Sequence, residues 1–368
     1  MYSLNRHEFY GFFRISIRDG GAVIGDDSLN SHCTTEAIRK YPGMYVGSVD
    51  IRGVYCLLFE LFEAVIDCTE KTNIVIELYA GECDTFYIKC NFLAGKVDHL
   101  WIEEKKALSF EIVKALSCDF DLRKEQDSFK LRFKPDREIF SYDTIEYNRL
   151  FLRLKELAQL NENVKFLLSD NENKNVIQFQ NGLEVMLMEG VYGFGLPSGY
   201  KPLNIHFSKN DVEVSGSMIY AHTSDVALSY VNNNRTHDGG THVQGLHDGI
   251  LDAFQEYIQN SEIETKIVKD HPLFFINEEI TGTSYVFDEN PNILKEDVVE
   301  NLNFVISVKM KQPFFSGSTR RVLANEEVYS IIKHGVMECL KRILISDPYF
   351  FYSSRVISKA EIRKMKER

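Results

Sequence analysis

Residues 39–47 read Arg39-Lys-Tyr-Pro-Gly-Met-Tyr-Val-Gly47 and stand just before a long run of periodic apolar residues. On physical grounds the stretch is a turn, with Pro42 fixing one φ angle and Gly43 free to take the next. From Arg52 to Thr69, Val54, Leu57, Leu58, Leu61, Phe62, Val65 and Ile66 recur at three- and four-residue spacing, which predicts an amphipathic helix. Asn73–Tyr79 and Thr85–Cys90 read as strands, because β-branched and aromatic residues alternate with polar ones and Gly81 breaks the run. Ala107–Leu116 reads as a short helix, Phe129–Phe133 as a strand and Tyr142–Leu160 as a helix rich in Leu, Glu, Arg and Lys. Val164–Ser169 and Asn175–Phe179 form a hairpin pattern across Asp170-Asn171-Glu172-Asn173.

Further out, Gly190–Pro202 (GVYGFGLPSGYKP) is rich in glycine and proline and poor in aliphatic residues, so it is expected to be a linker or loop. Beyond it Asn204–Phe207, Val212–Ala221 and Val226–Val231 are strand-like, and a loop from Asn232 leads into a helix from about Gly240 to Gln259. Phe304–Met310 reads as a strand and Asn325–Ile345 as a long helix. Each half mixes strands and helices, an α+β or α/β-sandwich composition.

The 368 residues exceed one compact core and fit two domains. Hydrophobic residues at 44% and charged residues at 26% exclude disordered and fibrous classes. No apolar stretch is long enough for a bilayer, and the N-terminus lacks a continuous apolar segment of the secretory kind. The seven cysteines are scattered without a C-x-x-C pair, which argues against a disulfide framework or zinc site and suits a cytoplasmic setting. A formal charge of −12 opposes indiscriminate binding to polyanions by the whole surface. The one dense basic segment, Lys359–Arg368, is expected to be a solvated helical tail rather than a DNA contact.

The opening string resembles the R-K-R-P-G-M-Y-I-G signature of the ATPase region of DNA gyrase and topoisomerase IV B subunits. The resemblance continues in order. Gly53 to Asp67 follows the family's G-L-H-x-x-V-x-E-V-V-D-N-x-I-D helix, and Leu131 to Phe140 looks like F-x-P-D-x-x-x-F. Phe179–Leu183 is similar to F-x-x-x-G-G-I, Tyr230 to Gly245 to F-x-N-N-I-x-T-x-x-G-G-T-H-x-x-G, and Val308 to Leu323 to V-K-x-x-x-P-x-F-x-x-Q-T-K-x-K-L. It runs from about residue 35 to about 345. It implies an α+β protein: a GHKL (Bergerat) α/β sandwich over 30–199 and a transducer, a ribosomal-protein-like α+β domain, over 200–350. An N-terminal arm, 1–29, and a basic tail, 351–368, complete the expected organisation.

The resemblance also carries its own departures. The family holds ATP with a general-base Glu on the first helix and an Asn one turn later for magnesium. Here the Glu is Glu60, but the Asn position falls on Ala64, whose methyl group cannot ligate a hard cation. The adenine-binding D-x-G-x-G is replaced by Cys90-Asn-Phe-Leu-Ala94, and the glycine-rich lid is expected to be deleted after Gly95. The adenine-side Gly-Thr is absent near Ser128-Phe129, and the Gln-Thr-Lys that reaches the γ-phosphate becomes Ser318-Thr319-Arg320. Arg320 keeps the charge, though Arg and Lys differ at a tight phosphate site. These losses together predict a chain that does not hydrolyse ATP by the family's route, since phosphoryl transfer depends on positioning. Glu60 is thus a residual catalytic candidate, and Asp67, Gly43, Thr319 and Arg320 are candidate ligand contacts. ATP and magnesium are cofactors only if the family activity survives, and no resident metal is expected.

Glu60 and Asp67, two helical turns apart on one face, equally suit a relic pocket or a structural stripe. Gly190-Val-Tyr-Gly-Phe-Gly195 mimics the lid pattern but lies far downstream and is expected to be a flexible linker. His237, His242 and His247 recur every five residues, which does not align them on a helix face. They are expected to be structural, with Thr241 as the helix cap.

The family's ATPase halves form two-fold dimers that exchange N-terminal arms. The aromatic segment Met1–Asp27 suits such an exchange, or docking on its own domain. The chain shows no TOPRIM motif of the acidic kind and no catalytic-tyrosine domain, so by itself it is not expected to cut DNA. Three functions follow: a non-hydrolysing partner that dimerises with itself or with a genuine topoisomerase B subunit; a nucleotide- or small-ligand-binding module with a remodelled pocket; or a true ATPase subunit. DNA binding would draw on Arg342, Arg355, Arg363 and Lys364. No membrane partner is expected.

Overall fold

The structure is a computed structural model, and it describes residues 35–67, 73–92, 107–125, 128–191, 201–221, 225–260, 292–317, 320–347, 349–354, 356 and 359–360. The turn expected at 39–47 is more ordered than a simple β-turn. Thr35–Lys40 (α1) and Gly43–Val46 (α2) are short helices, and Gly47 ends the second at φ 73°, its N–H donating to the Gly43 carbonyl at 2.9 Å. The long helix Ile51–Asp67 (α3) follows. Asp50 caps it, because its Oδ1 accepts the Arg52 backbone N–H at 2.9 Å. Asp50→Ala is expected to lower stability by about 1 kcal/mol in a thermal melt, the usual cost of a lost N-cap. Gly53 is required by packing, since a Cβ there would lie 2.0 Å from the Ser48 carbonyl oxygen.

Two compact units make up the chain, one of 1–182 with Gly317–Arg320 and one of 183–316 with 321–368. In the first, strands Ile74–Ala80 (β1) and Phe86–Phe92 (β2) are followed by helix Ala107–Ala115 (α4), and strands Ser117–Glu125 (β3) and Ser128–Pro135 (β4) come next. Helix Tyr147–Leu160 (α5) and strands Val164–Ser169 (β5) and Lys174–Ile177 (β6) complete this unit, and helix Gly182–Val191 (α6) starts at its last residue and belongs to the second. The six strands order as β3-β4-β2-β1-β5-β6, antiparallel except for the parallel pair β1/β5. Alternation places Ile76, Leu78, Ile88, Cys90, Leu131, Phe133, Phe166 and Leu168 on one face, in a single core with α3, α4 and α5. The helices thus cover one side of the sheet.

The helix expected from Tyr142 begins only at Tyr147. Residues 141–146 are held extended by other demands: Ser141 N–H donates to the Val49 carbonyl, the Arg137 guanidinium donates to the Tyr142 and Asp143 carbonyls, and Glu146 N–H donates to the Tyr55 hydroxyl.

The second unit holds strands Leu203–Lys209 (β7), Val212–Tyr220 (β8), Ala227–Val231 (β9) and Asn234–Arg235 (β10). Helices Thr241–Asn260 (α7) and Lys295–Val299 (α8) precede strand Leu302–Lys309 (β11), and helices Glu326–Ser346 (α9) and Tyr349–Ser354 (α10) follow it. Its five strands order as β10-β9-β11-β8-β7, with β9 and β11 parallel. Helices α7 and α9 pack together closely because Gly245 and Gly249 carry no side chain. A Cβ on either would sit 2.7 or 2.6 Å from the carbonyls of Tyr329 or Lys333. The pairs Lys333–Asp252 at 2.9 Å and Lys341–Glu256 at 2.6 Å line the same seam.

Thr241 is the first residue of α7 rather than its cap. The flanking position belongs to Gly240, and the buried Thr241 hydroxyl has no hydrogen-bond partner among the described residues. Lys359, expected in a solvated tail, is also different. Its ammonium donates to the carbonyls of Asp297 at 3.1 Å and Glu300 at 2.7 Å, satisfying the end of α8.

Candidate functional site

The positions that correspond to the family's nucleotide contacts lie on α3 and on the facing strands β2 and β4. Glu60 lies half-buried on α3, and Ala64, one turn on, is fully buried. Asp67 closes the helix, and its side chain lies outside the described set, as do Ser318 and Thr319. Gly43 is exposed at the start of α2. Arg320 is half-buried at φ 52° in the Gly317–Arg320 segment that groups with the first unit. The expected deletion of a lid after Gly95 falls on residues outside those described.

Cys90, the residue at the family's adenine-binding carboxylate, pairs across the sheet with Phe129 of β4. It is completely buried, and burial pushes its thiol well above the ordinary range, with the Glu77 charge adding to the shift. Phe129 is 1% exposed and meets two other rings, Phe92 at 6.4 Å and Phe110 edge-on at 5.9 Å. Three aromatic side chains therefore occupy the space beside Cys90. A phenyl edge offers no acceptor for an amino group, and a methyl at 64 offers no oxygen for magnesium. The residues present do not fit a magnesium nucleotide held in the family's manner. Among the described residues no three His, Cys, Asp or Glu side chains converge on a metal position.

Helix α3 also contributes to a buried charge cluster that the spacing of residues in the sequence does not reveal. Glu63, 5% exposed, accepts from Arg153 of α5 at 2.6 Å, and the same guanidinium also donates to Glu156. Glu63 is visible as an acid on an apolar helix, but its partner lies far along the chain, and no spacing rule links them.

The order of the matched segments becomes contact in space. Arg39 of the opening string donates to Asp136 at 2.6 Å and to the Ala115 carbonyl at 2.9 Å, joining residues 39–47 to the Leu131–Phe140 segment. Asp136 is held below the usual carboxylate range, since its bonds from Arg39 and the Glu138 N–H outweigh the opposing effect of burial. In the second unit, Tyr230–Gly245 and Val308–Leu323 are joined residue by residue. The Asn232 side chain donates to the Met310 carbonyl at 2.6 Å and accepts its N–H at 2.9 Å. Asp238 and Arg321 form a bidentate pair, and Thr241 N–H donates to the Leu323 carbonyl at 3.0 Å. Gly240, at φ 133°, lies so close that a Cβ would meet the Leu323 oxygen at 2.3 Å. His242 is completely buried, its Nε2 3.0 Å from the Thr236 hydroxyl, which bonds Ser229 in turn.

A family model described as DNA gyrase B matches residues 159–368, more than half of the chain. The chain belongs to the DNA gyrase B family. The DNA gyrase B protein of Borreliella burgdorferi is 27% identical over 383 residues, covering 85% of this chain and 55% of that protein. Its Staphylococcus epidermidis counterpart is 26% identical over 382 residues, with 85% and 54% covered. The chain thus spans about half the length of the curated relatives it matches.

Solved structures share the fold. The 43K ATPase domain of Thermus thermophilus gyrase B, in complex with an aminocoumarin, superposes with a TM-score of 0.71 at 21% identity, covering 92% of this chain and 99% of that one. The topoisomerase IV ATP-binding domain of Francisella tularensis gives 0.67 at 19% identity, covering 90% and 97%. The fold is therefore the expected GHKL α/β unit followed by a transducer. Among the described residues no helix is long and apolar enough to cross a membrane.

Proposed function

We propose that this member of the DNA gyrase B family does not turn over ATP by the family's chemistry and acts through protein association. Its partner is a second copy of itself or a genuine topoisomerase B subunit, whose activity it regulates or protects. The observation that supports this reading is the ring cluster Phe92–Phe129–Phe110 packed beside the buried Cys90, with Ala64 where an oxygen ligand is needed. Without an adenine acceptor or a magnesium ligand, little remains to position an attacking water.

The second reading is a working ATPase subunit, and the comparisons taken alone favour it, because two of the solved neighbours are described as ATPase and ATP-binding domains. Glu60, in the general-base position, also supports it. A module that binds another small ligand in a remodelled pocket is the intermediate case.

Isothermal titration with a non-hydrolysable ATP analogue and magnesium separates these readings. No heat at high protein concentration is the expected result, with pull-down then used to find the protein partner. Tight, magnesium-dependent binding that Arg320→Ala abolishes, together with turnover lost in Glu60→Ala, would establish the ATPase instead.

A further inference from the structure

The face of the first sheet turned away from α3, α4 and α5 has no covering layer among the described residues, and its charge is unlike that of the rest of the chain. Alternation puts Tyr79, Tyr87, Lys89, Lys130, Arg132 and Arg123 on this face. Register sets Lys89, Lys130 and Arg123 in one row across β2, β4 and β3. Neighbouring strands lie about 4.8 Å apart, so the row spans about 10 Å. In the next row Tyr79, Tyr87 and Arg132 stand side by side on β1, β2 and β4. The two tyrosine rings are 5.9 Å apart and tilted by 41°, and they are 36% and 46% exposed.

Four of the cations on these strands face carboxylates: Lys89 with Glu77, Lys130 with Glu125, Arg132 with Asp119 and Arg123 with Asp121. Lys134, Lys165 and Lys174 share the face and make no ion pair among the described residues. The strands therefore present an excess of positive charge within a chain of net charge −12. The paired cations are exposed, and exposed pairs contribute little, so a phosphate can replace a carboxylate at small cost.

We propose that this face binds single-stranded nucleic acid, with unpaired bases stacked on Tyr79 and Tyr87 and phosphates along the Lys89–Lys130–Arg123 row. Aromatic side chains on an open sheet offer every base a π-face, and flanking cations track the backbone. A duplex keeps its bases inside, so it gains only from the charge.

The test is fluorescence anisotropy of the full chain with a labelled oligothymidylate at 50 and 200 mM salt. Binding that weakens with a log–log slope of about −2, as release of about three counterions from a single strand requires, is expected. Tyr79→Ser/Tyr87→Ser should weaken it about thirtyfold or more while leaving the salt slope unchanged. Lys130→Ala/Lys134→Ala should flatten the slope, and circular dichroism should show both variants folded. Three results would overturn the proposal: no binding at 50 mM salt, equal affinity for duplex DNA or an acidic polypeptide, or affinity unmoved by both double variants. None of these outcomes depends on whether ATP is bound or hydrolysed.

Discussion

Arg153→Met is expected to destabilise the first unit by about 3–5 kcal/mol, the range for removing one partner from a buried ion cluster. Its guanidinium side chain is 14% exposed and serves Glu63 and Glu156, which are 7% and 12% exposed. Removing it takes the shared guanidinium away from two carboxylates that see little water. The loss should appear as a lower urea midpoint with an unchanged slope. The triple substitution Arg153→Met, Glu63→Gln, Glu156→Gln should recover much of the stability, because neutral groups of similar volume carry no such desolvation penalty. A loss below about 1 kcal/mol in the single variant would mean that the cluster behaves as a solvated surface pair.

Stability should also fall steeply as the solution is acidified from pH 7 to pH 5. Burial lowers the pKa of His242 to about 3. Burial and the nearby Lys295 charge lower that of His247 to about 4, against a small opposing effect of Asp248. Both histidines are therefore neutral in the folded chain, whereas in the unfolded chain they take up a proton near pH 6.5. Their contribution is complete above pH 6.5 and is withdrawn as the pH falls toward the folded values. On the order of 2 kcal/mol per histidine is lost by pH 5. Asp136 and Asp248 have lowered pKa values, so what they add is lost only below the ordinary carboxylate range, outside this window. Thermal melts at pH 5, 6 and 7 should show the fall. His242→Asn and His247→Leu should each flatten the profile, and a profile indifferent to both would refute the assignment.

Periodicity made the central elements legible. The helix from Arg52, the strands flanking Gly81, the hairpin across Asp170–Asn173 and both long helices of the second unit occur close to where apolar spacing puts them. What stayed hidden had other causes. Strand β3, SCDFDLRKE, is an edge strand whose charges protect its open side, and its inward Phe120 and Leu122 are too few to announce a core strand. Helix α6 begins at Gly182, inside the Phe179–Leu183 segment, whose likeness to the family motif carried no expectation of a helix. At the nucleotide-contact positions, the sequence showed which family groups are missing at residues 64 and 90. It could not show what fills their place, because Phe92, Phe110 and Phe129 come from three separate elements.

The strand order of the second sheet has a consequence for how the chain is made. The described strands of the first sheet all lie between Ile74 and Ile177, so that sheet is complete soon after its last residue leaves the ribosome. In the second sheet β11 sits between β8 and β9, so neither of those strands has its central neighbour until Leu302–Lys309 has been synthesised. The β7–β8 hairpin meanwhile exposes an apolar edge that invites pairing with other nascent chains. Slow translation between Val231 and Leu302, or a shortage of chaperones, should therefore lower soluble yield through the second unit alone.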